Sequence, residues 1–141
     1  MSRARLFLIA LLIAPLTAAC DNGPVAPTPT TTAPVVTSPV TETFATQLAV
    51  GGSSSRTFTA AKAGTATVTL TSVGSSSTLK VGFGVGIPDS AGSACFFTKS
   101  AETAAGAQLS VSVDPGVYCV RVYDIGALTS TINFTVTIVR P

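Results

Sequence analysis

The most reactive side chains of this 141-residue sequence are three cysteines, Cys20, Cys95 and Cys119. A nucleophilic thiol or serine normally needs a histidine as its general base, and the sequence contains no histidine. Histidine is also the commonest metal ligand. The acidic residues are spread along the sequence without a close pair that could divide acid and base roles. We therefore expect a protein that is not an enzyme, that carries no cofactor or metal, and whose cysteines serve attachment and cross-linking.

The N-terminal sequence predicts export. Arg3 and Arg5 precede an apolar run at residues 6–16, and the small residues 17–19 follow it directly before Cys20. This order is typical of a secretory signal peptide, here residues 1–19. The apolar run is shorter than the stretch of about 20 residues that a membrane-spanning helix needs.

The cleavage region also suggests how the mature protein is held. The sequence Leu16-Thr17-Ala18-Ala19-Cys20 resembles the lipobox of bacterial lipoproteins. That resemblance implies that Cys20 receives lipid, such as palmitate, becomes the new N-terminus and anchors the protein to a membrane of the cell envelope, inner or outer. Alternatively, an ordinary signal peptidase would cut at the same small residues and leave Cys20 at the start of a soluble secreted protein.

Residues 20–41 predict a linker. Five of the nine prolines fall between residues 21 and 41, among many threonines and without a periodic apolar pattern. Proline removes backbone donors, and such a composition buries too little apolar surface to fold. We interpret this segment as a disordered Pro/Thr-rich tether between the lipidated Cys20 and a folded domain.

Charge and cysteine usage limit the possible partners. The formal charge of +2 comes from Arg3 and Arg5, so removal of the signal peptide leaves a chain of neutral side-chain charge. A neutral chain lacks the basic surface that nucleic-acid binding requires. Because export places the remaining pair, Cys95 and Cys119, in an oxidising compartment, we expect them to form a disulfide.

From residue 42 to residue 141 the sequence alternates between apolar and polar residues, with turn residues at close intervals. Eight short runs of period two predict an all-β fold of about eight strands, either a β-sandwich or a barrel. The segment Lys99 to Gln108 lacks this pattern and is expected to be a loop.

Two groups of residues are candidates for a binding patch on this sandwich. Gly82, Gly84 and Gly86 alternate with apolar residues, so they share one face of a strand. They could form the flat floor of a ligand groove, or a bare face on which an aromatic ring or the disulfide lies close to the backbone. Arg121 and Tyr123 alternate with Val120 and Val122, which we expect to point into the core. Arg121 and Tyr123 should then point outward, either as a binding patch or as a packed outer face.

The runs R-T-F-T-A, G-T-A-T-V-T-L-T-S, P-G-V-Y-C-V-R-V-Y-D and N-F-T-V-T-I resemble the bacterial pre-peptidase C-terminal domain. The resemblance implies a small jelly-roll-like β-sandwich of about eight strands that is exported with a peptidase or anchored alone. The sequence thus predicts a membrane-anchored, non-catalytic envelope lipoprotein that acts as a binding or scaffolding module for a protein or polysaccharide. The alternatives are a carbohydrate-binding module and a protease-accessory or inhibitor-like domain.

Overall fold

The fold is known from a computed structural model that describes residues 38–141. The signal peptide, Cys20 and residues 20–37 of the expected tether lie outside the described residues. The described part contains eight strands, and the first begins two residues before the expected domain boundary. The strands are β1 (Val40–Leu48), β2 (Ser53–Ala60), β3 (Gly64–Val73), β4 (Val81–Pro88), β5 (Cys95–Thr103), β6 (Gln108–Val113), β7 (Gly116–Tyr123) and β8 (Ile132–Arg140).

The strands form two four-stranded antiparallel sheets. Sheet 1 has the order β1-β8-β3-β6, and sheet 2 has the order β2-β7-β4-β5. Strands that are distant in the sequence are neighbours in both sheets, which is the double Greek-key arrangement of a jelly roll. The prediction of an all-β, eight-stranded β-sandwich is confirmed.

The alternation seen in the sequence separates the core from the two outer faces. Most inward side chains of β3 and β8 are fully buried, as are most of those of the central strands of sheet 2. On the outer face of sheet 1, threonine hydroxyls of neighbouring strands hydrogen-bond each other, for example Thr43 with Thr137 at 3.2 Å and Thr71 with Thr137 at 3.1 Å. β-branched residues therefore occupy both faces, with valine and isoleucine inside and threonine outside.

The expectation of a loop from Lys99 to Gln108 is wrong for its first half. Strand β5 continues to Thr103, which pairs with Val81 at the start of β4. The second half of β5 lacks alternating apolar residues because β5 is an edge strand with few buried side chains. Ala101 provides the inward contact with the core, and the backbone ladder with β4 supplies the rest of the pairing.

A tyrosine fixes the turn that leads into β7. The Tyr118 hydroxyl accepts a hydrogen bond from the Asp114 N–H at 2.9 Å and donates one to the Asp114 carbonyl at 3.1 Å. The Tyr118 ring stacks on Phe58 of β2 at a centroid distance of 5.7 Å. This arrangement resembles the tyrosine corner of other β-sandwiches, and it sets where β7 enters sheet 2.

Candidate functional site

Strand β7 presents the predicted residues on the outer face of sheet 2. Val120 and Val122 are completely buried, whereas Arg121 and Tyr123 lie on the opposite side and are half-buried. The predicted inward and outward faces of this strand are therefore confirmed. Through strand pairing, Arg121 lies opposite Gly84.

Two aromatic rings lie on the glycines of β4. Tyr123 is the cross-strand partner of Gly82, and a Cβ added at Gly82 would come within 2.1, 2.2 and 2.5 Å of ring atoms Cζ, Cε2 and Cε1 of Tyr123. Such a Cβ would enter the face of the ring, so the ring lies flat over the glycine. Phe97 covers Gly84 in the same way, with ring atoms 2.5 Å from an added Cβ. The Phe97 and Tyr123 rings, which we call the ring platform, are 19° from parallel with centroids 5.8 Å apart.

The third glycine makes room for backbone rather than for a ring. An added Cβ at Gly86 would lie 1.8 Å from the Phe96 carbonyl oxygen. Close to this point, β5 is irregular: Val85 pairs with Lys99 and Gly86 pairs with Phe97, which leaves Thr98 as a bulge.

The disulfide crosses strand β4 close to Gly86. Cys119 on β7 pairs with Gly86, and Cys95 lies on β5, on the other side of β4. The two cysteines are bonded with their Cα atoms 5.8 Å apart. The predicted disulfide is confirmed, and it joins two strands that are not neighbours in the sheet.

These contacts correct the idea of an open glycine floor. Gly82, Gly84 and Gly86 are all buried, the first two under rings and the third under the β5 backbone. The accessible surface is the ring platform above them. The glycines therefore belong to the patch as support for the rings and not as a contact surface.

An open cleft of about 360 Å³ lies beside the ring platform. This outer cleft is lined by Gly51 to Ser53, Phe97, Arg121, Tyr123 and Asp124. The Arg121 guanidinium donates from Nη2 to the Ser53 hydroxyl at 2.6 Å, while its buried Nε has no hydrogen-bond partner in the described part of the chain. Among residues 38–141, no carboxylate forms an ion pair with Arg121.

Asp124 lines the outer cleft and holds two loops together through hydrogen bonds. Its Oδ2 accepts the Gly51 N–H at 2.8 Å, and its Oδ1 accepts the N–H groups of residues 126, 127 and 128 at 2.9 to 3.2 Å. The Gly51 N–H is the main reason why the pKa of Asp124 lies below its usual value, with the other three N–H groups adding to it. Asp124 is therefore a charged residue whose acceptor capacity is largely used by the backbone.

Sequence reasoning found Arg121 and Tyr123 but missed Phe97 and Asp124. The signal for Phe97 was indirect: three alternating glycines in a strand leave space that a ring from a neighbouring strand can fill. Asp124 directly follows strand β7 and stands two residues before Gly126, a position typical of a turn-forming aspartate. Neither residue could be placed in the cleft without the pairing of β4 with β5 and β7.

The arrangement is suited to binding. The described residues contain no group of three or more His, Cys, Asp or Glu side chains that could hold a metal ion. Within residues 38–141, no helix is long and apolar enough to cross a membrane. What the outer cleft offers is two ring faces, a guanidinium, a hydroxyl and a carboxylate within one open surface.

Comparison with known proteins identifies the fold. No protein-family model matches the sequence, and no curated protein matches it significantly, so the resemblance to the pre-peptidase C-terminal domain stays a prediction. Among solved structures, the chain is similar to PliG of Aeromonas hydrophila, a periplasmic inhibitor of g-type lysozyme. The TM-score is 0.52 at 16% identity, over 71% of this chain and 86% of PliG. It is also similar to the Yersinia pseudotuberculosis-derived mitogen, with a TM-score of 0.54 at 10% identity, over 73% of this chain and 87% of the mitogen.

Proposed function

We propose that this protein is a non-catalytic binding module that holds a macromolecular partner at the outer face of sheet 2. In this proposal the protein is exported and is anchored to the cell envelope through lipid on Cys20. The observation that carries the proposal is the outer cleft, in which Arg121 lies next to the ring platform without a carboxylate partner among the described residues. Arginine and aromatic residues are the types most enriched where partners bind tightly.

Several further observations support this role. The fold is similar to that of PliG, a periplasmic inhibitor of g-type lysozyme, and this similarity supports export and a binding role. The disulfide between Cys95 and Cys119 is of the kind that persists in oxidising compartments. A Pro/Thr-rich tether between the lipid and the sandwich would let the outer cleft reach partners away from the membrane.

The test is a comparison of envelope material that co-purifies with tagged full-length protein. The double variant Arg121→Ala with Tyr123→Ala should lose the partner that the wild type retains. A control variant on the other sheet, Thr43→Ala with Thr67→Ala, should retain it. Equal recovery with both variants would place the partner elsewhere and overturn the proposal, provided that thermal unfolding shows all three proteins to be folded.

A further inference from the structure

The ring platform has one face on the protein and one face toward the outer cleft. The sheet-side faces of the Phe97 and Tyr123 rings cover Gly84 and Gly82, as the added-Cβ distances show. Both rings also line the cleft, and 39% of Phe97 is exposed. Two rings that are 19° from parallel therefore lie over neighbouring glycines on the outer face of β4, and together they offer a broad aromatic surface.

Covering the glycines does not by itself require this surface. Cross-strand aromatic residues are known to compensate for glycine in a sheet, and one ring over each glycine does so here. However, glycine lowers strand stability compared with β-branched residues such as the valines that alternate with it in β4. Branched residues at positions 82 and 84 would cover the sheet without exposing an aromatic ring. Glycine at positions 82 and 84 is explained if the two rings must lie flat on the sheet, because a Cβ at either position would enter the ring above it.

The charges in the outer cleft point to an uncharged ligand. The cleft contains one cation, Arg121, and one anion, Asp124, so the charges that line it sum to zero. Arg121 has donors to spare, since the structure shows one hydrogen bond from its guanidinium, to Ser53. A ligand with many hydroxyl groups could accept from Arg121 and donate to Ser53 without bringing its own charge.

From these features we infer that the outer cleft binds a neutral β-1,4-linked glycan, with the apolar faces of two successive sugar rings on Phe97 and Tyr123. This inference rests on the proposed function and names the class of its ligand. The C–H groups on one face of a pyranose ring are attracted to the negative face of an aromatic ring. With their centroids 5.8 Å apart, the two aromatic rings can contact two sugar rings of one extended chain. Arg121 and Ser53 lie beside the platform, where they can bind the hydroxyl groups at the edge of the sugar rings.

The test titrates the full-length protein with three soluble hexasaccharides and follows the sugar protons by saturation-transfer NMR. Cellohexaose and the β-1,4-linked hexamer of N-acetylglucosamine are extended chains. Maltohexaose has the same composition as cellohexaose but α-1,4 linkages that coil the chain, so it is the matched control ligand. We expect an extended chain to bind at least tenfold more tightly than maltohexaose, with saturation transfer to the C–H protons of two adjacent sugar rings.

Four variants separate the ring platform from the rest of the surface. Phe97→Ala should weaken binding of the extended chain at least tenfold, and Phe97→Tyr should retain it. Phe96→Ala removes a ring that is 67% exposed but does not form the platform, and it should bind like the wild type. Arg121→Gln should weaken binding several-fold, because it removes the guanidinium next to the platform.

Three results would overturn the inference: no binding of either extended chain, equal binding of maltohexaose, or binding that Phe97→Ala leaves unchanged. The proposed function is judged separately by the co-purification experiment. If the oligosaccharides fail to bind while the wild type retains a protein that the Arg121→Ala, Tyr123→Ala variant loses, the glycan is wrong and the binding module stands. If the partner is also retained by that variant, both proposals fail.

Discussion

The ring of Tyr123 lies face-down on Gly82, its cross-strand neighbour in sheet 2. The same relationship holds between Phe97 and Gly84, although these residues are not directly paired, because a bulge in β5 shifts the register. As a result, one strand of glycines supports two rings from strands on either side of it. These rings also fix the position of the outer cleft. Arg121 lies in the same strand as Tyr123, and Asp124 directly follows that strand.

Alanine at two of the glycines should have unequal effects. In Gly86→Ala the new Cβ would meet the backbone of Phe96, which cannot move without breaking the pairing of β4 with β5. We expect a loss of about 3 kcal/mol or more in the free energy of unfolding. In Gly84→Ala the Cβ meets the Phe97 ring, which can rotate away, so the loss should be about 1 kcal/mol. Denaturant unfolding of both variants checks this order, and equal losses would contradict it.

Removing the disulfide should destabilise the sandwich without unfolding it. The Cys95–Cys119 bond closes a loop with a sequence separation of 24 and connects β5 to β7 across β4. The double variant Cys95→Ala, Cys119→Ala should lose about 2–4 kcal/mol in unfolding free energy. Wild-type protein measured with reductant is the matched control and should show a similar loss. Unchanged stability in both cases would mean that the bond does not constrain the unfolded chain.

The loops beside the outer cleft should respond to acid through Asp124. Because the pKa of its carboxyl is lowered in the folded state, the carboxylate stabilises the fold above its unfolded pKa of about 3.9. This contribution is lost as the pH falls through the folded pKa. In Asp124→Asn, the side chain can accept hydrogen bonds with one atom instead of two, so the Gly51 N–H would lose its partner.

The stability difference between wild type and Asp124→Asn should therefore be largest at neutral pH and shrink below pH about 4. Urea unfolding at pH 7 and at pH 3 measures it. Glu102→Gln is the control, because it removes one exposed negative charge from β5 without removing a loop hydrogen bond among the described residues. A difference that grows on acidification would contradict the role of Asp124.

The sequence predicted the parts of this structure that depend on local alternation. Val120 and Val122 face inward and Arg121 faces outward because a strand alternates, and no tertiary information is needed for that assignment. Phe97 could not be assigned in the same way, since the bulge at Thr98 interrupts the period of two in β5. The extension of β5 to Thr103 was also missed, because its residues are held by backbone pairing at a sheet edge more than by apolar side chains.

The anchor is open to a direct chemical test. If Cys20 is lipidated, the intact mass of the mature protein should correspond to a chain that starts at Cys20 and carries a diacylglycerol group. Cys20→Ser should leave the membrane fraction or accumulate with its signal peptide. Mature wild-type protein that is soluble and without lipid would show instead that an ordinary signal peptidase processes the chain.

The outer face of sheet 2 is the surface at which we propose that this protein binds its partner. Site-specific photo-crosslinking in the native host tests it most directly, with benzoyl-phenylalanine replacing one residue at a time in the full-length protein. We predict a discrete adduct, whether to protein or to glycan, when the probe is at position 97 and no adduct when it is at Thr43 on the outer face of sheet 1. The yield of the position-97 adduct should fall several-fold when Arg121→Ala is added. An adduct at position 43 without one at position 97 would contradict the account.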